Sequence, residues 1–217
     1  GGLLGAFCLR YIYVRGEWLK QQKSELNARI QAMQARIHPH FLFNSLNSVV
    51  SLIGSDPDRA EQMLIDLSRL FRASFQELKL VKLTEEIQLC QHYLAIEKVR
   101  LGSRLDVEWN IQQPEQLHQV MIPLLTLQPL LENCIFHGVE KKQANAKIVI
   151  LVEILQNQVT IVITNPFILD KMESRESHGI AVENVKQRLK AHFGYSVQFR
   201  NHAGNGIFTT VLQYQYK

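Results

Sequence analysis

The chain has 217 residues, 46% of them apolar and 20% charged, and carries a net charge of +4. That balance describes an ordinary soluble globular protein of one large or two small domains, and without a basic stripe interleaved with aromatics it gives no ground for direct nucleic-acid binding. The widely spaced cysteines Cys8, Cys90 and Cys134 supply neither a metal-ligand spacing nor an even-numbered disulfide framework, which points to a reducing compartment.

Gly1 to Val14 is apolar, interrupted by Arg10, and followed by Arg15 and Lys20. It is too short to span a bilayer by itself. Basic residues on its far side fit the cytoplasmic end of a transmembrane helix over residues 1–16, with an interfacial or disordered end as the alternative. No small-residue cleavage site follows, so a signal peptide fits poorly.

From Glu17 to Gly54 the pattern reads as one helix. Leu26, Ile30, Met33 and Ile37 keep a 4-3-4 spacing, the seam of a coiled coil, and predict pairing with a second copy. Pro39 interrupts that helix, removing a hydrogen bond and crowding the preceding turn. Beyond it the apolar line moves to Leu42, Leu46, Val49 and Ile53, which leaves His40, Asn44 and Asn47 on one outward polar stripe. Taken alone, His40 reads equally well as a satisfied histidine at a kink.

Gly54 to Asp58 is a turn, with Ser55 and Asp58 spaced as a capping box and Pro57 suited to a first helical turn. The next helix is predicted from Pro57 to Leu78, with Ala60, Leu64, Leu67, Phe71, Phe75 and Leu78 on one face. Two such hairpins make a dimeric four-helix bundle. A third helix is expected from an N-cap at Thr84 to Leu101, ended by Gly102, with Ile87, Cys90, Leu94 and Leu101 as its apolar stripe. Its membership of the bundle or of the following domain stays open.

After Gly102 the period changes. Arg104 to Ile111 alternates as a strand, Pro123 to Val139 reads as a helix, and Lys147 to Leu155 and Val159 to Thr164 are strands joined at Gln156. Asn165 to Ser177 is loop-like, Ala181 to Phe193 helical, and Tyr195 to Asn201 and Ile207 to Tyr216 are strands around a Gly204-Asn205-Gly206 turn. The class is α+β: a helical hairpin followed by an α/β sandwich.

Within the helix from Pro123, Asn133 and His137 share a face at i and i+4, with Glu132 beside them. Asparagine and glutamate are hard oxygen donors suited to Mg²⁺, though a solvated polar face would look the same. Gly179, just before the Ala181 helix, can open that helix toward a phosphate. Asn184 and Arg188 lie one turn apart along it, with an exposed helix arginine as the alternative for Arg188. Asn165 can accept a hydrogen bond through its side-chain oxygen.

Pro39-His40-Phe41-Leu42-Phe43-Asn44, followed by Leu46-Asn47, resembles the phosphoacceptor box of the LytS/YehU-type sensor histidine kinases. Glu132-Asn133 with His137-Gly138 is similar to that family's N-box, and His178-Gly179-Ile180-Ala181 through Arg188-Leu189 to its glycine segment. The resemblance runs from about Gln34 to Leu212, and Phe71 to Ser74 with Glu97 to Gly102 resembles the AlgZ/FimS-type branch. It implies the ATP-binding (Bergerat or GHKL) fold shared with gyrase, Hsp90 and MutL. His40 is then the phosphoacceptor, Asn133 the Mg²⁺ ligand, His137 lies near the phosphates, and ATP also meets Asn165, Gly179, Asn184 and Arg188. Asn165-Pro166 stands where that fold has Asp-x-Gly-x-Gly, and Ala181 where a second glycine is usual.

Phe41 occupies the place where many histidine kinases have a carboxylate, which leaves His38 or Glu132 as the orienter or base for His40. The same resemblance implies a homodimer at the bacterial inner membrane and a response regulator, of LytTR type, as partner. The expected domains are 1–16 juxtamembrane, 17–80 dimerisation and phosphotransfer, 81–102 connecting helix and 103–217 ATP-binding. A nucleotide-binding signalling scaffold, or a regulator phosphatase with weak kinase activity, are the alternative functions.

Overall fold

A computed structural model describes residues 10–18, 20–22, 24, 39–77, 79–140, 145–167 and 176–216. They belong to two compact units, Gly1–Phe43 and Asn44–Lys217. In the first, residues 10–18 are helical, and Tyr11, Ile12, Tyr13, Val14 and Trp18 are exposed. No helix among the described residues is long and apolar enough to cross a membrane. The expected seam at Leu26, Ile30, Met33 and Ile37 lies outside the described residues, as do His38 and Leu78.

Helix α1 spans Pro39–Ile53 and α2 spans Pro57–Phe75. Between them the cap is Asp56, whose carboxylate accepts from the Arg59 N–H at 3.1 Å, with Pro57 in the first turn. This corrects the expected Ser55–Asp58 box: the Ser55 hydroxyl instead donates back to the Ser51 carbonyl. Losing an Asp N-cap costs about 1 kcal/mol. Asp56→Ala should therefore lower Tm by about 2–4 °C in thermal denaturation, and Ser55→Ala should stay within about 0.5 kcal/mol of wild type.

The hairpin buries a different stripe from the expected one. Ser45 and Val49 of α1 are buried, whereas Leu46 is 39% and Ile53 is 58% exposed. On α2 the buried side carries Ala60, Met63, Leu67, Leu70 and Ala73, while Leu64 is 46% and Phe75 is 60% exposed. Both helices bear apolar residues on two faces, so period alone does not choose between them. The partner within the chain is α3 (Leu83–Leu101), tied to α2 by His92 Nδ1 against Asp66 Oδ1 at 2.8 Å.

Helix α3 starts one residue before Thr84, is N-capped by Lys82 without a side-chain bond, and ends at Gly102 with φ 59°. Thr84 is thus inside the helix and not its cap. The expected stripe Ile87, Cys90, Leu94 and Leu101 is buried. Two strands too short to show a period, β1 (Leu80–Lys82) and β3 (Met121–Pro123), pair antiparallel and brace the start of α3.

The main sheet has the order β2-β4-β5-β7-β6, formed by Leu105–Ile111, Ala146–Leu155, Gln158–Pro166, Ile207–Gln215 and Gln198–Gly204 respectively. β2 and β4 are parallel and every other pair is antiparallel. The helix expected from Pro123 begins at Gln128: α4 is Gln128–Cys134, extended by one π turn over Ile135–Val139. The last helix, α5, is Glu176–Phe193, opening five residues before the expected Ala181.

Period 2 organises the sheet. Ile148, Ile150, Val152 and Ile154 of β4, and Val159, Ile161 and Ile163 of β5, share one buried face. The stripe continues on β5 to Asn165, which is 3% exposed, and on β7 to Thr210, Leu212 and Tyr214. A buried polar residue thus ends an apolar row.

Candidate active site

The site is built on the turn that leads into α4. Leu125 adopts φ 60°, a left-handed conformation that costs a non-glycine residue about 1–3 kcal/mol and persists only where its surroundings hold it. Two helices do so. From α3, the fully buried Glu86 carboxylate accepts from the Leu125 N–H at 2.9 Å and the Leu127 N–H at 2.7 Å. From α5, Arg188 Nη1 donates to the carbonyls of Leu124 at 3.0 Å and Leu125 at 2.8 Å. The Thr126 hydroxyl closes the turn on the Pro123 carbonyl at 2.6 Å. Burial raises the Glu86 pKa, and the backbone donors oppose that rise.

Leu127 in turn fixes α4, since its carbonyl accepts from Leu130 and Leu131. Five residues after Leu127 stands Glu132, whose carboxyl accepts from Gln128 Nε2 at 3.0 Å and is pushed up by burial to about 7. The Asn133 Nδ2 is buried with no hydrogen-bond partner. At the π turn the Glu140 N–H reaches back to the Ile135 carbonyl at 2.9 Å. Such turns recur at functional sites and break the i, i+4 register. His137 is accordingly buried, at 6% exposure and edge-on to Phe136, and is not among the walls of the cavity that Asn133 lines.

Gly138 allows α4 to approach the end of β5. A Cβ there would lie 2.6 Å from the Pro166 carbonyl oxygen and 2.7 Å from Asn165 Nδ2. The same two atoms are hydrogen-bonded to each other, Asn165 Nδ2 donating to Pro166 O at 2.8 Å. That bond sets the amide so that Oδ1 is the end left over, and Oδ1 is buried without a partner.

Asn133 and Asn165 meet across one narrow cavity of about 10 Å³, room for about one water. Leu130, Cys134, Val182, Phe208 and Thr210 complete its walls. An unpartnered donor and an unpartnered acceptor thus belong to residues lining a mostly apolar space, with Thr210 the other polar wall. A buried unpaired amide costs about 1–3 kcal/mol, and in native proteins such groups mark places where a ligand or water completes the set.

The other expected site residues fall elsewhere. Gly179 is within the first turns of α5 and not in a loop before it. Asn184 is exposed on that helix, and Arg188 holds the α4 turn. Gly204-Asn205-Gly206 is a hairpin turn, with Asn205 at φ 53° and Gly206 at φ 75°. His40 is exposed, in the first turn of α1, with Asn47 exposed and Asn44 half-buried.

Sequence reasoning missed the buried acids of α3. Besides Glu86, Glu97 is buried and accepts from Arg100 Nε at 2.9 Å, while Arg100 Nη2 also reaches Glu140 at 2.6 Å beyond the π turn. Their spacing from Glu86 to Arg100 along an otherwise apolar side of α3 was the available signal.

Residues 28–105 match the Histidine kinase family model. Sensor histidine kinase YpdA of Escherichia coli is 33% identical over 197 residues, covering 86% of this chain and 34% of that protein. Sensor histidine kinase/phosphatase LytS of Staphylococcus aureus is 32% identical over 216 residues, covering 92% of this chain and 37% of that protein. The chain thus spans about a third of the length of the curated relatives it matches. Among solved structures, the catalytic domain of histidine kinase ThkA aligns with a TM-score of 0.48 at 14% identity, covering 65% of this chain and 99% of that one. By the family segment and by relatives that extend across nearly its whole length, the chain belongs to the LytS-type sensor histidine kinases.

Proposed function

We propose that this chain is the kinase portion of a two-component sensor, which binds ATP at the Asn133–Asn165 cavity and phosphorylates His40. The observation that carries the reading is the pair of unpartnered atoms, Asn133 Nδ2 and Asn165 Oδ1, on residues that line one mostly apolar cavity, in a chain of this family with an exposed histidine in its phosphoacceptor segment.

Asn165 Oδ1 accepts from the exocyclic amino group of adenine, and the apolar walls take the faces of the base. The cavity as it stands has room for about one water, so the base enters only with displacement of its walls. Asn133 would hold Mg²⁺ through its side-chain oxygen, a hard donor of the kind that ion takes beside phosphate oxygens. Mg²⁺, when bound, neutralises charge on the phosphates. Asn184 on the exposed side of α5 and Gly179 near the start of that helix face the phosphate end. His137 supports α4 from within the core, and Arg188 acts on the α4 turn.

The unprotonated imidazole nitrogen of His40 attacks the γ-phosphorus. The N–P bond forms as the bond to the β,γ-bridging oxygen breaks, ADP leaves, and the proton on the other ring nitrogen is released. Glu132 or His38 orients the ring. Because such transfers ask little covalent chemistry of the protein, positioning dominates the rate. The phosphoryl group then passes to an aspartate oxygen of a response regulator, of LytTR type.

The exposed Phe43, Leu46, Val50 and Ile53 of α1, with Leu64 and Phe75 of α2, form the apolar faces that a second copy covers in a dimeric four-helix bundle. ATP-binding residues 103–217 follow the dimerisation and phosphotransfer segment 17–80 through the connecting helix 81–102. We assign this region to the cytoplasmic side of the bacterial inner membrane, a location that the basic residues Arg15 and Lys20 fit. Since the LytS relative is named a kinase/phosphatase, dephosphorylation of the regulator is the second activity to assay.

Incubation with γ-labelled ATP and Mg²⁺ tests the reading. Acid-labile, base-stable label should appear in wild type and be absent from His40→Gln. Nucleotide binding with no label would instead support a signalling scaffold.

A further inference from the structure

We infer that Glu86 and Arg188 form a two-sided clamp on the Leu124–Leu127 turn that sets where Asn133 stands, which makes both of them positioning residues for the metal–nucleotide complex. The inference rests on the proposed nucleotide site and concerns residues that do not line it.

The turn has an unusual need. Its N–H groups at Leu125 and Leu127 belong to the approach and cap of α4, where no intrahelical acceptor exists. Its carbonyls at Leu124 and Leu125 point the other way. Glu86, 39 and 41 residues before its partners, accepts from the N–H groups, and Arg188, 64 and 63 residues after its own, donates to the carbonyls. A carboxylate at the start of a helix also opposes the positive end of the helix dipole.

Three helices thus converge on four residues, and Leu125 keeps its left-handed φ. Asn133 lies less than two helical turns beyond Leu127 on the same short helix. A rotation of the turn therefore moves the Asn133 amide across the cavity, while Asn165, on β5, stays with the sheet. The clamp makes no hydrogen bond to Asn165, so its first effect falls on Asn133.

That separation gives the test. ADP affinity is measured with and without Mg²⁺ for wild type, Glu86→Gln and Arg188→Lys, alongside amide hydrogen exchange at Leu125 and Leu127. Glu86→Gln keeps the size and one oxygen acceptor but turns an NH₂ toward the second backbone N–H. Arg188→Lys keeps the charge but loses the fork that spans two carbonyls. Groups that orient a metal ligand from behind typically change metal affinity by about 10–100-fold.

The expected result for either variant is a loss of about tenfold in the Mg²⁺-dependent gain in ADP affinity. Metal-free ADP binding should stay within about twofold of wild type, and both amides should exchange faster. The double variant should show no further loss, because both groups hold one turn. A folded variant with the wild-type Mg²⁺ gain overturns the inference. So does one that loses metal-free binding to the same degree, because that marks a merely structural role. Should Glu86→Gln not fold, Arg188→Lys decides by the same measurements. If wild type binds no ADP, the proposed site fails, and the exchange rates alone decide whether the clamp exists.

Discussion

Gly138→Ala should lower stability by about 2–3 kcal/mol, the upper part of the range for forcing an extra methyl into a packed interior. For a chain of this size that is a fall in Tm of about 4–12 °C. The new Cβ would sit 2.6 Å from a backbone oxygen, which can retreat only by moving the end of β5. It would sit 2.7 Å from Asn165 Nδ2, so relief on that side breaks the bond to Pro166 that aims the Asn165 oxygen into the cavity. Nucleotide affinity should therefore fall together with Tm. Calorimetry and an ADP titration on the same preparation check both, and an alanine variant with wild-type Tm would show that α4 and β5 are not held this close.

The second large effect depends on pH. Glu132 has its carboxyl raised to about 7 by burial, from an ordinary value of 4.5. The folded chain thus holds a proton that the unfolded chain has already released between those two values. Stability must then fall as pH rises through this window, by up to about 3 kcal/mol, with the whole loss present above pH 7. Glu132→Gln cannot ionise yet still accepts from Gln128. In Mg²⁺-free and nucleotide-free buffer, the variant should match wild type near pH 4 and be the more stable chain at pH 8. Glu86 and Glu97 are also raised by burial and slope the same way, so the difference between the two chains is the quantity to follow. Parallel curves across pH 4 to 8 would remove the buried-carboxyl account of Glu132.

Much of the architecture could be read directly. The alternation in β4 and β5 is strict, and it carried the assignment because one face of each strand packs against helices. That same alternation, continued past Ile163, puts Asn165 on the buried face, a clue that reading Asn165 as the start of a loop passed over. β1 and β3 are three residues each and offer no period to detect. The run from Met121 to Leu131 is apolar almost throughout, which hid a strand and a turn before the helix.

At α2, two apolar faces compete. Packing on α3 selected Met63, Leu67 and Leu70 and left Leu64 exposed. Glu86 was legible only as an acid in the first turn of its own helix. Its actual partners are N–H groups about 40 residues on, a relation that no local pattern encodes. Arg188 was assigned to the phosphates for the same reason, because its two carbonyl acceptors lie far back in the chain.

The most direct test of the whole account is to locate the phosphate. The chain is incubated with ATP and Mg²⁺, digested without exposure to acid, and mapped by mass spectrometry. The account predicts a single acid-labile phosphoryl group on His40, absent from Asn133→Ala, which should no longer hold the metal-bound nucleotide. A fully nucleotide-bound chain with His40 unmodified, or the phosphoryl group found on another histidine, would contradict it.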